Sequence, residues 1–324
     1  MIANCGPPTY HKGMGGTSVH NVRARSAGLA LLLGLTWGLP CPRACEATED
    51  VSDQAAQAIA RGDLDTAQSL LQSGLKLNPR SARLHKLMAT LDFDLQRFDA
   101  MRDELQLAIK FDPNDADNYL NLGMLELGQS HYSRALPSLQ QYVRLKPNDA
   151  QGHLLLGRTY MTLETVEAEK EFRAALALDP RLPMAHQDLA FAEMNLGRRE
   201  SARDEFLKEI EVNPDLASSY LRAGMIELDL DHLAAAGALL RQAVERSPNE
   251  ARAHFELGRC LLKVQKPDEA EAEFRQAITL DSKLLRAHYG LGQALQALGK
   301  KEESQREFAL FSELMARDRA RRPQ

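Results

Sequence analysis

Residues 217–250 read ASSYLRAGMIELDLDHLAAAGALLRQAVERSPNE, and residues 251–284 follow as ARAHFELGRCLLKVQKPDEAEAEFRQAITLDSKL. Laid one over the other, they superpose Gly224 on Gly258, Ala236 on Ala270, Leu240 on Phe274, Ala243 on Ala277 and Pro248 on Ser282. Within each block apolar residues recur at i, i+3 and i+4, twice over, so each block is two amphipathic helices. The pattern extends outward in both directions. Pro79, Pro113, Pro147, Pro180, Pro214 and Pro248, then Ser282, stand at intervals of 34, 34, 33, 34, 34 and 34 residues. A fixed period of that size means a stack of similar units, each too small to bury its own apolar face alone.

The residues between the prolines explain why each unit is a hairpin. Two helices approach to about 8–10 Å only where side chains are small, and Leu122-Gly123, Leu156-Gly157, Leu189-Ala190, Ala223-Gly224, Leu257-Gly258 and Leu291-Gly292 return at one offset. Ala135, Ala168, Ala202, Ala236 and Ala270 return at a second, with Phe172, Phe206, Phe274 and Phe308 filling the groove beside them. Proline ends the second helix because it cannot continue one. Asn114, Asn148, Asp215 and Asn249, each just after a proline, are expected to cap the next helix. The fourth unit is one residue short, around Leu163-Glu164-Thr165. Pro137 falls early in a second helix and is expected to remove one hydrogen bond there, whereas Pro183 and Pro267 lie near helix starts.

His153, Leu156-Gly157, Tyr160, Ala168, Phe172, Ala175 and Pro180 together resemble the signature of the tetratricopeptide repeat. The resemblance covers about eight units, 48–81, 82–115, 116–149, 150–182, 183–216, 217–250, 251–284 and 285–318. It implies an all-α, right-handed superhelical solenoid with a concave groove lined by the first helix of each hairpin. Gly74 and Phe311 stand where the family has alanine, as expected of end units that pack on one side only.

Residues 1–47 read differently. Arg23 and Arg25 precede an uncharged run from Ala27 to Leu39, then Pro40 and the small residues Ala44-Cys45-Glu46-Ala47. A positive flank, a short apolar core and small residues make a secretory leader with cleavage expected near Ala47. Thirteen residues rise only about 20 Å as a helix, too short for a permanent span, so a membrane enters only through an uncleaved leader. Cys5, Cys41 and Cys45 lie in or beside it, and Cys260 alone lies among the repeats. Cys41 and Cys45 lack the histidine of a haem-attachment motif. Residues 48–324 carry 36 basic and 44 acidic side chains. Such a surface argues against nucleic acid as the partner, which would need a basic face. The basic C-terminal tail, 319–324, is read as complementing a helix dipole.

No nucleophile elbow, zinc-protease motif or phosphate loop occurs. A column of His85, Tyr119, His153, His186, Tyr220, His254 and His288 is the sharpest oddity. Stacked repeats hold such side chains about a helix diameter apart, too far for shared metal ligation, so the column is read as packing. Glu269, Glu271 and Glu273 read as a solvated face.

The resemblance places the groove on Leu120, Met124, Leu154, Arg158, Phe191, Leu221, Met225, Arg252, Phe255, Arg259 and Tyr289. Adaptable methionines and apolar residues rimmed by arginine suit an apolar partner segment. The carboxylate clamp of chaperone-tail-binding relatives is absent. Lys86 and Asn121 match it, but Thr90, Gln151 and Leu155 do not. The asparagine ladder of glycosyltransferase relatives is absent too, with Asn121 alone in place. The expectation is a non-catalytic interaction scaffold, without metal or cofactor, that binds a protein or peptide partner in the bacterial envelope. A structural or oligomerising envelope subunit is the alternative, with a metalloprotein ranked below both.

Overall fold

The computed structural model describes residues 42–321. The apolar core of the leader, with Cys5, Arg23, Arg25 and Cys41, and the final Arg322–Gln324 lie outside them. Sixteen α-helices and no strand make up the described residues. The first helices of the hairpins are α1 (Pro42–Ala60), α3 (Ala82–Asp94), α5 (Ala116–Gly128), α7 (Ala150–Tyr160), α9 (Ala185–Asn195), α11 (Ala217–Asp229), α13 (Ala251–Lys263) and α15 (Leu285–Ala297). The second helices are α2 (Leu64–Leu77), α4 (Phe98–Phe111), α6 (Tyr132–Leu145), α8 (Thr165–Leu178), α10 (Arg199–Val212), α12 (Leu233–Arg246), α14 (Pro267–Leu280) and α16 (Lys301–Arg321). From α2 onward each helix packs on the next in sequence. The expected boundary at Ala47 falls inside α1, and α16 runs past residue 318 into the stretch read as a tail. No helix among the described residues is long and apolar enough to cross a membrane.

Close approach within a hairpin rests on glycine, as the spacing predicts. A Cβ at Gly157 would lie 2.5 Å from the Phe172 ring, and one at Gly258 would lie 2.8 Å from Phe274. Phe172, Phe206 and Phe274 are fully buried beneath these crossings.

The turns between first and second helices share one device. Gly62, Gln96, Ser130, Gly197, Asp231, Gln265 and Gly299 all adopt left-handed backbone, with φ between 57° and 77°. In each turn the next amide donates to the carbonyl five residues back, as His131 N does to Glu126 O at 2.8 Å and Lys300 N to Leu295 O at 2.9 Å. This is the Schellman closure of a helix end. The fourth unit lacks a left-handed residue. Its missing residue takes the turn itself, and Leu163 N and Glu164 N both donate to Tyr160 O instead.

Two readings of the caps change. Asn114, Asn148 and Asn249 are not N-caps. The helices start a residue later, where Asp115, Asp149 and Glu250 accept from the exposed amides of Asp117, Gln151 and Arg252. After the C-cap residue come two turn residues, Pro113-Asn114 and their equivalents, and only the residue that follows them has the extended geometry to cap. Asp215 likewise gives way to Leu216, which makes no side-chain cap. Pro137 lies in the second turn of α6, which continues through it. Pro267 is the first residue of α14, and Pro183 precedes α9 through Met184 at φ 70°.

Candidate functional site

A cavity of about 530 Å³ opens between α11, α13 and α15, all of them first helices. Met225 and Asp229 come from α11, Arg252, Phe255, Glu256 and Arg259 from α13, and Arg286, Tyr289, Gly290 and Gln293 from α15. Helical spacing explains the set, because Arg252, Phe255, Glu256 and Arg259 fall at i, i+3, i+4 and i+7 on one face. Arg286, Tyr289, Gly290 and Gln293 repeat that face one unit on. Five of the residues expected to line the groove therefore come together here: Met225, Arg252, Phe255, Arg259 and Tyr289.

The other six do not join them. Leu154 is 2% exposed and packs with Phe172 and Leu189, and Leu221 is buried in the core below Phe255. Neither lines the cavity, although Phe255, at the equivalent place and also buried, does. Leu120 packs at the edge of the Leu139–Leu155 cluster. Phe191 stacks edge-on against Phe206 and carries the Arg222 guanidinium 5.3 Å from its ring centre. Met124 is exposed and is not among the residues lining this cavity. Arg158 is held at 2.5 Å by Asp188 of the next unit, and burial pushes that carboxyl up against the pull of Arg158.

The equivalent of Asp188 three repeats further on is Gly290, which explains why the cavity sits where it does. Arg259 stands where Arg158 stands, yet no carboxylate faces it from α15. It turns instead to Glu256 at 2.5 Å on its own helix, with Asp229 at 4.0 Å and the Phe255 ring centre at 5.9 Å. A Cβ on Gly290 would come within 2.6 Å of Phe274, so the glycine both seats that ring and leaves the floor open. Three arginines, Arg252, Arg259 and Arg286, meet two carboxylates, Asp229 and Glu256, around Phe255, Met225 and Tyr289. The site is cationic and apolar in a chain whose net charge is −5.

Sequence reasoning missed a second constellation. Asp92, Glu126, Glu169, Glu193, Glu209, Glu227 and Glu256 are buried. Arg97 pairs with Asp92 at 2.7 Å, Arg102 with Glu126 at 2.5 Å and Arg173 with Glu193 at 2.6 Å. The solvated-face reading of Glu271 and Glu273 is also corrected. Glu271, 13% exposed, pairs with Lys300 and Arg275, and Glu273 pairs with His254. The signal was available in Asp92, Glu126, Glu193 and Glu227, which occupy the place that Tyr160 fills in its own unit. In the histidine column His85, His186, His254 and His288 are buried and His153 partly so; all five meet a glutamate, and all but His288 a proline carbonyl as well. Among the described residues no three His, Cys, Asp or Glu lie close enough to hold a metal ion.

Known proteins agree with this architecture. A family model described as "Tetratricopeptide repeat" matches residues 120–183, 187–251, 221–284 and 261–309, and a second model of that description matches 58–123. No curated protein matches the chain. Among solved structures, it resembles YrrB, described as a TPR protein with an unusual peptide-binding site, at TM-score 0.51 and 20% identity over 60% of this chain and 97% of that one. It resembles Pseudomonas aeruginosa pilF at TM-score 0.52 and 19% identity, over 65% and 96% of the two chains. A tetratricopeptide repeat protein from Parabacteroides merdae aligns at TM-score 0.52 and 16% identity, over 77% and 99%. At these identities the structures share the fold alone, but the family models span most of the sequence, and the chain belongs to the tetratricopeptide repeat family.

Proposed function

We propose that this protein is a non-catalytic scaffold that binds an acidic, partly apolar segment of a partner protein at the α11–α13–α15 cavity. The observation that carries the reading is the cavity's composition: three arginines against two carboxylates, around Phe255, Tyr289 and Met225. An apolar anchor in such a pocket supplies affinity, and carboxylates flanking it are steered by Arg252 and Arg286. YrrB's description as a TPR protein with a peptide-binding site supports the class of partner. The net negative charge of the chain supports protein rather than nucleic acid as that partner. The leader motif supports an envelope setting.

The test is a photo-crosslinking residue at Tyr289 in the native cell. One partner should be captured, and Arg252→Glu with Arg286→Glu should abolish its capture while the far-ultraviolet circular dichroism stays unchanged. Undiminished capture by the double variant would overturn the cavity as the site. Fusing residues 1–47 to a phosphatase active only after export tests the setting separately, with an inactive fusion counting against it.

A further inference from the structure

The histidines at the joints between repeats have an unusual demand for protons. His85 places Nδ1 2.6 Å from Glu104 Oε2 and Nε2 3.0 Å from the Pro79 carbonyl. His153 does the same with Glu171 at 2.6 Å and Pro147 at 3.1 Å. His186 repeats it with Glu205 at 2.6 Å and Pro180 at 3.1 Å, and His254 with Glu273 at 2.6 Å and Pro248 at 2.9 Å. A peptide carbonyl only accepts, and an ionised carboxylate only accepts. A neutral imidazole has one N–H and so satisfies one of these two neighbours. The other contact would set two lone pairs face to face.

The remaining units show that the carbonyl wants a donor. Where tyrosine replaces histidine, Tyr119 donates its hydroxyl to the Pro113 carbonyl at 3.2 Å. At Tyr220 the carbonyl of Pro214 receives Arg246 Nε at 2.5 Å, with that guanidinium 4.1 Å over the tyrosine ring. The glutamate disappears with the histidine: Ser138 and Leu239 stand in its place in those two units. His288 keeps its glutamate, Glu307, at 2.8 Å.

We propose that His85, His153, His186 and His254 are imidazolium ions at neutral pH, each a proton-loaded clasp joining one repeat to the next, so that the stack loosens as protons are withdrawn. A neutral ring beside a protonated glutamic acid would satisfy the same two contacts, and the ring-nitrogen signals distinguish it from the imidazolium. Each clasp ties three pieces: the proline carbonyl in the turn that ends the preceding unit, the first helix and the second helix.

The charged groups facing the rings from the second helix of the same unit are Glu104, Glu171, Glu205 and Glu273. Asp92, on the same helix as His85, adds its charge near Glu104. Lys208, 2.7 Å from Glu205, is the further charge acting on His186. The preceding unit contributes the uncharged proline carbonyl.

His186 gives the direction. Burial alone would lower its pKa, but the Glu205 bond and charge and the Pro180 carbonyl outweigh burial and hold it above the ordinary 6.5. A group raised in the folded state stabilises fully below its unfolded value and loses that contribution as pH rises through the folded value. Glu205 would likewise be raised by burial, but His186 and Lys208 hold it below 4.5. Its contribution is present above that value and fades as pH falls through the folded one. The clasp is firm between these limits and fails on the alkaline side.

The test is a pH titration of the full chain labelled with 15N in its histidine rings. Both ring nitrogens of the four residues should carry protons at pH 7, and His186 should lose one only above the ordinary histidine range. A neutral-tautomer nitrogen signature at pH 7 would overturn the inference. Glu205→Gln should drop the midpoint of His186 while leaving the other three in place, and an unmoved midpoint would also overturn it. If that variant fails to fold, the wild-type titration decides alone. The unfolding constant should rise by up to about tenfold per pH unit between the unfolded and folded values of His186. A stability that stays flat there counts against the clasp.

Discussion

Residues 82–149 and residues 251–318 follow one backbone plan yet close the same joint with opposite chemistry. In the earlier pair of units the eleventh residue is Asp92 or Glu126, and in the later pair it is Leu261 or Leu295, all four of them buried. The backbone bond at that residue does not change. Arg97 N and His131 N donate to the carbonyls of Asp92 and Glu126 as Lys266 N and Lys300 N do to those of Leu261 and Leu295. The side chains differ. Arg97 and His131 return to the carboxylate whose carbonyl they cap, whereas Lys266 and Lys300 turn outward to Glu269 and Glu271. The packing differs as well. One apolar cluster runs unbroken from Tyr220 to Leu295, while the earlier units divide into smaller clusters around Leu84, Leu105 and Leu139. The cavity lies on the continuous part. The backbone closure these units share thus tolerates either an ionic or an apolar filling.

The largest effect should come from breaking an ionic filling on one side only. Arg102 reaches from one unit into the next to bind Glu126, whose side chain is 3% exposed, and also holds Gln129 at 2.7 Å. Arg102→Met leaves that carboxylate with His131 alone, 3.0 Å away, and should cost about 3 kcal/mol in denaturant unfolding, as breaking a buried pair on one side does. Adding Glu126→Leu, the residue type of the later units, should recover most of that loss, because buried ion pairs often yield to apolar residues of similar size without penalty. A double variant as unstable as the single one would break the comparison, showing that the ionic joint is not interchangeable with the apolar one.

A smaller effect, of opposite sign, tests the same contrast three residues into the first helix. Asn118 and Ser219 sit there fully buried, and the Asn118 amide and the Ser219 hydroxyl have no hydrogen-bond partner among the described residues. The equivalent residues of the later units are Ala253 and Ala287, and that of the second unit is Leu84. Unpartnered buried polar groups cost about 1–3 kcal/mol. Asn118→Leu should therefore stabilise by about 2 kcal/mol and Ser219→Ala by about 1 kcal/mol. Destabilisation by Ser219→Ala, where volume hardly changes, would mean the hydroxyl is satisfied.

These joints also mark what could be read from the residues alone. Period, hairpins and helix crossings were legible, because Gly157 against Phe172 or Gly258 against Phe274 is a contact within one unit at a fixed offset. Contacts across units were not. Glu126 looks like a surface residue until Arg102, 24 positions earlier, is placed beside it. The groove was half legible for the same reason. Leu154 and Phe255 hold the same place in their units, but only beyond Phe255 does the next helix offer Gly290, leaving Arg259 without a facing acid. Arg158 meets Asp188 at that step and is neutralised. Caps were misplaced by one residue because the chain needs a two-residue turn before it reaches capping geometry.

The smallest effect concerns the turns, where the backbone alone is at issue. Gln265 and Gly299 are equivalent left-handed residues, at φ 60° and 77°, in adjacent units. A side chain in that conformation costs about 1–2 kcal/mol, of which glycine returns part to the unfolded chain as entropy. Gln265→Gly should therefore raise stability by about 0.5–1 kcal/mol, and Gly299→Ala should lower it by a similar amount, read as shifts in the unfolding midpoint. The shortened fourth unit is the control. None of its turn residues is left-handed, so Leu163→Gly has no strain to relieve and should only destabilise. If Leu163→Gly stabilised as Gln265→Gly does, the gain would belong to loop chemistry in general and not to the Schellman closure that the other units share.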